Sequence, residues 1–419
     1  MLSQRLREDL LPLVFFLLTL ALALWRVERE LAYLWEEDLG EGYVHVRIEG
    51  VPQIEDGRLK TTVLIKGGDF PELYDKKAHL TLYGAEDIPS REFILRAKAK
   101  VFEGRVFLSA SYKDIEKPVP VESFRDHLMQ KAQEKIKDPE VEALVLTYFF
   151  GEAQDLLPSD LQYAFRQTGL VHLLVISGSH IALVFLLLRY MLPYPYGLYL
   201  AFAGVSLYVL FAVPPEPPVL RAYLMLFLWL LVKLFEGRAN PLGIILYSGG
   251  LLLLYKPEFL TSYSFWLSLF ATLYIVLSLE NFKKEGSYLY KNLFLPFWTS
   301  LFAFLGVSPL ILTFSNTSAG SVIFTPLVAP LLFPFTLFGL LELATFFSLP
   351  TFPLEITGKL LTGFVSLLSN FDLQVNKGFD LMPAVAVLLM NALLLYFLKG
   401  YYKLFTLLVF LVWLVVAVI

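Results

Sequence analysis

Apolar positions follow three different patterns along this chain, and each pattern predicts a different kind of element. Residues 10–25 form one apolar run, close to the roughly 20 residues of a helical membrane span. Between residues 41 and 117, short runs alternate apolar and polar positions, which is the period of half-buried β-strands. From residue 170 onward nearly every segment is apolar. The pattern predicts a polytopic α-helical membrane protein with a strand-rich region near its N-terminus.

The alternating region predicts about five antiparallel strands in a small barrel or sandwich. The predicted strands are residues 43–49, 58–66, 78–84, 91–100 and 104–112. Turn-like stretches such as EDG and KGGDFPE separate them. Five strands in a segment of this length suggest an OB-like module. We therefore assign residues 41–117 to an all-β OB-like domain inserted after the first span.

The apolar runs after residue 170 predict about ten further spans. They lie near residues 173–191, 194–213, 219–235, 241–255, 263–279, 293–312, 322–346, 352–371, 382–398 and 404–419. With the first run they give about eleven spans, and residues 169–419 form the polytopic membrane domain. Some runs are short or contain Pro or Gly, which predicts broken or re-entrant segments buried in protein or lining a wet cavity.

The segments on either side of the strand region have their own patterns. Residues 1–40 carry Arg5 and Arg7 before the first apolar run and an Ala-x-Ala stretch near its end. This arrangement also fits a cleavable signal peptide, and we interpret it as an N-terminal membrane anchor. Residues 118–168 contain VESFRDHLMQKAQEKI at positions 121–136, whose apolar residues recur at three- and four-residue spacing. That spacing predicts an amphipathic helical connector.

Composition agrees with a membrane setting. Hydrophobic residues make up 57% of the chain and charged residues 17%, against roughly 25% charged residues in an ordinary soluble domain. The chain contains no cysteine. Disulfides, thiol chemistry and cysteine-ligated metal sites are therefore excluded.

Lysine and arginine in the short loops predict the orientation of the spans. If the N-terminus is inside, the inside ends collect Arg5, Arg7, Arg189, Lys233, Arg238, Lys283, Lys284, Lys291, Lys399 and Lys403. The outside loops then hold little more than Lys256 and Lys377. Because basic residues are retained on the cytoplasmic side, this bias predicts a multi-pass protein of the cytoplasmic membrane. It also predicts that the β domain lies outside the cytoplasm.

A polar cluster interrupts the apolar run GLVHLLVISGSHIALVFL at residues 169–186. The cluster contains His172, Ser177, Gly178, Ser179 and His180. Polar groups at membrane depth usually face the interior of a helix bundle or a water path. One interpretation is helix–helix packing through the small residues, and another is the polar lining of a translocation path.

Two chemical interpretations of the cluster are weaker. A Ser177–His180 pair could serve intramembrane hydrolysis, but the segment has no GxSxG elbow and no evident carboxylate to orient the histidine. A metal site would need more ligands than His172 and His180 supply. We therefore predict no metal site and no catalytic residue here.

Two further basic groups are candidates for contact with a polyanion. Arg96, Lys98 and Lys100 share one face of a predicted strand, either as a nucleic-acid contact or as a solvated strand face. Arg221 lies just inside the outer end of its predicted span. There it could attract phosphates, or it could snorkel to the interface or pair with Glu216.

The run QTGLVHLLVISGSHIALV, residues 167–184, resembles the signature of the ComEC-type competence proteins, which form the inner-membrane channel for single-stranded DNA in natural transformation. The matching positions are Gly169, Leu170, His172, Leu173, Leu174, Ile176, Ser177, Gly178 and His180. Further resemblance lies in PPEPPVLRAYLM at 214–225, in residues 237–271 and in VSPLILTF with the positions that follow it. The chain departs from the family pattern at Trp266, where glutamine is usual, and at Thr325, where asparagine is expected.

The resemblance implies a non-enzymatic channel that moves single-stranded DNA across the cytoplasmic membrane without a cofactor. The residues implied to line or shape the path are His172, Ser177, Gly178, His180 and Arg221. Implied partners are single-stranded DNA, the lipid bilayer, a DNA-receptor protein on the outer side and a separate nuclease. A cytoplasmic ATP-driven motor is also expected, since the chain has no GxxxxGK[ST] stretch. The channel could be an oligomer.

Many members of that family carry a C-terminal metallo-β-lactamase-like domain. This chain reaches Ile419 within an apolar run and contains no His-x-His-x-Asp-His cluster, so we expect no hydrolase centre of that kind. Two alternative functions stay open at this point. One is an intramembrane enzyme that uses Ser177 and His180, and the other is a transporter of another envelope polymer.

Overall fold

The structure is a computed structural model. It describes residues 2–33, 37–48, 53–55, 57–74, 76–84, 92–102, 105–116, 124–151, 156–174, 176–192, 196–280, 287–288, 290–371, 373–376, 378 and 380–418. The chain divides into two units, a β unit of residues 24–123 and a helical unit of residues 1–23 and 124–419. Each unit has its own hydrophobic core.

The β unit is built on a closed barrel. Its strands are β1 (Glu37–Ile48), β2 (Gln53–Glu55), β3 (Arg58–Gly68), β4 (Lys77–Tyr83), β5 (Glu92–Phe102), β6 (Arg105–Ser111) and β7 (Ile115–Glu116). The five longest strands pair in the order β1-β3-β4-β6-β5, and β5 returns to β1. β2 pairs with β3 and β7 with β5. Closure leaves the five long strands without a free edge, which protects their backbone groups from other chains.

Strict alternation along the strands fills the barrel. In β3, Leu59, Val63 and Ile65 are fully buried, while Arg58 and Lys60 point outward. A strand turns successive side chains to opposite faces, so one apolar set closes the interior. Gly68 ends β3 at φ +133°, and a Cβ there would lie 2.2 Å from the carbonyl oxygen of Tyr43. Only glycine fits that approach.

The predicted barrel of about five strands is confirmed, with one difference in pairing. All its strands were expected to be antiparallel, whereas β4 and β6 are parallel. The alternating pattern determines which face each residue takes, but it carries no information about the direction of the neighbouring strand. Predicted strand ends at residues 49, 91 and 104 lie outside the described residues.

The helical unit contains helices of very different lengths. They are α1 (Leu2–Tyr33), α2 (Phe124–Lys135), α3 (Pro139–Phe150), α4 (Ser159–Thr168), α5 (Val171–Leu174), α6 (Gly178–Met191), α7 (Gly197–Phe211), α8 (Pro217–Leu234), α9 (Pro241–Tyr255), α10 (Tyr263–Leu279), α11 (Leu295–Ile311), α12 (Ser321–Ala344), α13 (Phe352–Leu368), α14 (Leu381–Phe397) and α15 (Phe405–Val418). Two short strands, β8 (Thr317–Ser318) and β9 (Gln374–Val375), pair antiparallel.

Many of these helices are apolar enough for a membrane. Among the described residues, four stretches also have the length to cross it, namely Glu8–Val27, Pro217–Leu234, Tyr290–Ile311 and Ser321–Ala344. Shorter apolar helices are Gly178–Met191, Gly197–Phe211, Pro241–Tyr255, Tyr263–Leu279, Leu381–Phe397 and Gly400–Val415. A mostly helical chain with several apolar helices, as expected of a helical membrane protein, is therefore confirmed. The total of about eleven spans, the inside N-terminus and the four-part domain division stay predictions.

The segment predicted as an amphipathic connector contains three helices of unequal burial. In α2, Leu128 and Ala132 are buried on one side, as an amphipathic surface helix requires. In α3, every residue from Ala143 to Phe150 is buried, because α2, α5 and α13 all contact this helix. An eight-residue apolar run is too short for periodicity to distinguish a buried helix from an amphipathic one. Residues 118–123 and 152–155 lie outside the described part of the chain.

Helix α1 packs closely against α9 at small residues. A Cβ added at Gly250 would lie 2.7 Å from the ring of Phe15 and 2.8 Å from the hydroxyl of Thr19. Small residues permit such close approach where no hydrophobic driving force acts between helices. Asp9 adds polar contacts, since its carboxylate accepts hydrogen bonds from Asn240 Nδ2 at 2.8 Å and from the Tyr396 hydroxyl at 2.9 Å.

The start of α3 is fixed by Asp138. Its Oδ1 accepts hydrogen bonds from the backbone N–H groups of Glu140 and Val141, both at 3.1 Å. Its Oδ2 lies 2.7 Å from Lys359 Nζ on α13. The hydrogen bond from Lys359 holds the pKa of the Asp138 carboxyl below its usual value. Asp138 therefore caps α3 and ties it to α13.

We predict that Asp138→Ala lowers the free energy of unfolding by about 1 kcal/mol, because the helix cap is lost. Lys359→Ala leaves the cap intact and should cost less, since an exposed ion pair contributes about 0–1 kcal/mol. Because the native pKa is lowered, the contribution of Asp138 is present above the ordinary pKa of about 4 and lost as pH falls through the native value. Thermal unfolding in detergent across this pH range measures both effects. If Asp138→Ala and the native chain had the same unfolding temperature at neutral pH, the stabilising role of the Asp138 helix cap would be contradicted.

Candidate functional site

The polar cluster lies where the helical path breaks between α5 and α6. Ser177 has extended backbone angles, φ −131° and ψ 173°, and is the N-cap of α6. Its side chain accepts from the backbone of His180, while its own backbone N–H donates to His180 Nδ1 at 3.1 Å. This is a capping box with histidine in the place usually held by glutamate or glutamine. The polar cluster therefore contains the N-terminal cap of α6.

The same contacts define the chemistry available to Ser177. Its hydroxyl oxygen lies 3.0 Å from His180 Nδ1 and 2.7 Å from Ser179 Oγ. His180 is buried against the Tyr148 ring, with ring centroids 4.3 Å apart. No carboxylate among the described residues lies within hydrogen-bonding distance of Nε2. A serine nucleophile needs a base that a third group orients, so this geometry favours a helix cap over a catalytic pair.

His172 occupies a different environment from His180. It is exposed on α5, and its Nδ1 lies 3.0 Å from the carbonyl oxygen of Gly169. Its Nε2 lies 3.5 Å from the hydroxyl of Thr325 on α12. One of the two positions that depart from the family pattern, Thr325, therefore lies beside His172. In the described part of the chain no group of three or more possible ligands could hold a metal ion.

Gly178 allows α6 to approach α8. A Cβ at Gly178 would lie 3.3 Å from the Cβ of Ala222, tighter than ordinary van der Waals contact. The helix–helix packing interpretation of the small residues therefore has direct geometric support. The contact also places the start of α6 beside the residue that follows Arg221.

Arg221 is almost completely buried, at 1% exposure. Its Nε and Nη2 donate to the Ser268 hydroxyl at 3.1 and 2.6 Å, and Nη2 also donates to the Ser268 carbonyl at 2.5 Å. Its Nη1 donates to the Thr272 hydroxyl at 2.7 Å and to the sulfur of Met225 at 3.4 Å. In this arrangement Arg221 neither snorkels to the interface nor pairs with Glu216.

The acceptors around Arg221 are all neutral. Among the described residues no carboxylate lies within 4.0 Å of its guanidinium group. A buried cation that is hydrogen-bonded but not neutralised leaves a positive potential around it, because the low dielectric screens it poorly. Sequence reasoning found Arg221 but missed Ser268 and Thr272. The available signal was two hydroxyl residues four positions apart on one face of an apolar helix.

The basic stripe of the β unit lies on the outer face of β5, where alternation predicted it. Arg96 Nη2 lies 3.4 Å from Glu41, and Asp38 lies 3.1 Å from Lys98 Nζ and 3.4 Å from Lys100 Nζ. The Lys98 hydrogen bond lowers the pKa of Asp38. These acids escaped sequence reasoning because β1 begins at Glu37 and pairs with β5 in a register that the sequence does not reveal. All five side chains are about half exposed, so the pairs contribute little.

Comparison with known proteins identifies the class to which this membrane protein belongs. Residues 149–414 match the model of the family described as "Competence protein". An uncharacterized protein of Aquifex aeolicus (strain VF5) is 39% identical over 365 residues, which cover 86% of this chain and 87% of that relative. No solved structure matches the chain.

The chain belongs to the competence protein family. Membership supports a role in DNA uptake during transformation, and the family is generally a transport channel rather than an enzyme. The resemblance read from residues 167–184 is thereby confirmed. The assignment of His172, Ser177, Gly178, His180 and Arg221 to a DNA path stays a prediction.

We predict that Thr272→Val destabilises the helical unit by about 1–3 kcal/mol, because one donor of buried Arg221 loses its acceptor while the side-chain shape is kept. Thr299→Val is the matched control, since the hydroxyl of half-buried Thr299 donates to the Pro296 carbonyl of its own helix. Unfolding in mixed detergent micelles gives the difference in free energy. Equal stability of the two variants would contradict the proposed tie between α8 and α10.

Proposed function

We propose that this protein moves single-stranded DNA across the cytoplasmic membrane during natural transformation. The observation that carries the proposal is membership of the competence protein family over residues 149–414. In this proposal the N-terminus lies inside, the β unit lies outside, and about eleven spans form the channel. A DNA-receptor protein delivers the strand, a cytoplasmic ATP-driven motor pulls it, and a separate nuclease removes the complementary strand.

The environment of Arg221 suits the transport of a polyanion. A channel must attract its cargo strongly enough for entry and weakly enough for exit. Arg221 supplies a positive charge within a membrane span, and hydroxyl and carbonyl oxygens rather than acids surround it. Its donors are already occupied, so phosphates feel its potential without forming tight ion pairs. The cluster of His172, Ser177, Gly178 and His180 shapes the path by fixing the break before α6.

The β unit supports the same proposal. A closed five-stranded barrel is the core of the OB-like module expected outside the membrane, and such modules bind oligonucleotides. Its exposed β5 face carries Arg96, Lys98 and Lys100. Weak ion pairs on that face can exchange their acid partners for DNA phosphates.

One observation favours a second candidate, an intramembrane enzyme. The 3.0 Å contact between Ser177 Oγ and His180 Nδ1 is short enough for proton transfer. The capping box explains the same contact without catalysis. A transporter of another anionic envelope polymer would share the Arg221 environment, and substrate competition separates it from DNA transport.

We predict that this chain restores uptake of labelled DNA to a transformable bacterium whose own competence channel gene is deleted. Ser177→Ala should retain a measurable fraction of that uptake, because Gly178 and the remaining helix bonds still permit α6 to form. Arg221→Met, which removes the charge and keeps an apolar side chain, should reduce uptake at least tenfold, on the order of the loss of one charged interaction.

Membrane levels of each variant, measured by immunoblotting, are the control in that experiment. An enzyme that depends on Ser177 gives the opposite ranking, with Ser177→Ala as inactive as the deletion and Arg221→Met active. Undiminished uptake with Arg221→Met at normal membrane levels would contradict the role of the buried cation.

A further inference from the structure

An open cleft of about 360 Å³ lies on the outer face of the barrel. It lies where β4 ends and where β5 and β6 run side by side, with the 3-10 turn Tyr112–Asp114 closing one end. Its lining side chains include one aromatic ring, two cations, two hydroxyls and two acids, namely Tyr83, Arg96, Lys98, Ser109, Ser111, Glu41 and Asp114. This volume lies within the range of small-ligand sites, so the cleft can hold one unit of a polymer.

The aromatic wall of the cleft is Tyr83, the last residue of β4. Its side chain is 47% exposed, a large fraction for an aromatic residue on a strand. The guanidinium carbon of Arg58 lies 5.5 Å from the ring centroid, a cation–π distance. An exposed ring of this kind stacks against nucleobases without requiring a particular one, because every base has a π-face.

The cationic wall of the cleft is formed by Arg96 and Lys98 on β5. Arg96 lies 3.4 Å from Glu41, and Lys98 lies 3.1 Å from Asp38. These side chains are about half exposed, and exposed ion pairs of this geometry contribute little. A phosphate that enters the cleft can therefore replace an acid partner without burying an unpaired charge.

The acid at the end of the cleft gives a reason for base preference. Asp114 is exposed and forms no ion pair with any described residue. A carboxylate accepts a hydrogen bond from the exocyclic amino group of cytosine, whereas thymine offers no amino group. Hydroxyls at Ser109 and Ser111 on β6 can bond the sugar or the base edge. The cleft thus offers a stacking surface, a phosphate partner and an amino acceptor together.

We propose that this cleft binds one nucleotide of a DNA single strand, with the base stacked on Tyr83, the phosphate held by Lys98 and Arg96, and Asp114 preferring amino-bearing bases. The inference rests on the proposed function for its cargo, and it assigns the strand to a particular part of the barrel. Lys100, which belongs to the predicted basic stripe but not to the cleft lining, is a peripheral contact.

The test uses the full chain in lipid nanodiscs and fluorescent oligonucleotides of cytosine or thymine alone, with binding followed by anisotropy. Tyr83→Ala should weaken binding of both oligonucleotides about tenfold or more, the loss expected for one stacked base. Tyr43→Ala is the matched control, since Tyr43 is 44% exposed on β1 and does not line the cleft. It should bind as tightly as the native chain.

Two further variants separate a binding site from a structural role. Lys98→Ala should reduce the slope of log affinity against log salt by about 1, whereas Lys66→Ala, on β3 outside the cleft, should leave the slope unchanged. The native chain should bind the cytosine oligonucleotide about fivefold tighter than the thymine one, and Asp114→Ala should abolish that difference. A fold defect would weaken both oligonucleotides equally.

Three results would overturn the inference. In the first, Tyr83→Ala binds the oligonucleotides as tightly as the native chain. In the second, Tyr43→Ala weakens binding as much as Tyr83→Ala does. In the third, the native chain binds neither oligonucleotide. None of these results decides the outcome of the cellular uptake experiment, which is an independent test of the transport proposal. If the protein restores uptake but gives one of these binding results, only the cleft proposal is rejected. If it binds the oligonucleotides but does not restore uptake, the transport proposal is rejected.

Discussion

Helix α10 is held in the helical unit by two buried cations that approach it from different elements. Arg221 on α8 donates to Ser268 and Thr272 of α10. Lys403 donates to the backbone carbonyl oxygens of Leu277, Ser278 and Glu280 at its end. The last carbonyls of a helix are the ones that need partners from outside it, and a cation there interacts favourably with the negative end of the helix dipole. Neither lipid nor apolar side chains can replace such bonds, so they fix which helices must be neighbours.

The same requirement accounts for the polar cluster at residues 172–180. A helix that stops and restarts within an apolar region leaves N–H groups without partners, and the Ser177–His180 capping box satisfies two backbone N–H groups from within the cluster. Gly178 then brings the start of α6 against α8, next to Arg221. A broken helix and an unneutralised cation thus lie close together in the helical unit. Irregular backbone at membrane depth must be buried in protein or line a cavity, so this arrangement is compatible with the proposed path for a polyanion.

Sequence patterns predicted the strands and helices of this protein better than they predicted which strands pair and which helices are in contact. The alternation of apolar and polar residues located five strands of the barrel, because a half-buried strand repeats every two residues. The parallel pairing of β4 with β6 was missed. Apolar runs located the helices from α6 onward. The burial of α3 was missed, since its run is too short to show a period. Register and helix contacts depend on residues far apart in the chain, which no local pattern contains.

The candidate site shows the same division. His172, Ser177, Gly178, His180 and Arg221 stood out because polar residues are rare in apolar runs. The acceptors of Arg221 on α10 did not stand out, although two hydroxyl residues four positions apart were visible. Asp38, the partner of Lys98 and Lys100, was missed because the start of β1 was placed too late. Pairing across strands or helices became visible only with the fold.

The most direct measurement is the ionic current through a planar bilayer that contains the purified protein, with oligonucleotides on one side under an applied voltage. If the protein conducts single-stranded DNA, current blockades should become more frequent as single strands are added, and duplexes of the same length should cause few. Arg221→Met should lower the blockade frequency at low salt, because the attraction of phosphates is electrostatic. A bilayer that shows no conductance, or that responds equally to single strands and duplexes, would contradict a channel for single-stranded DNA.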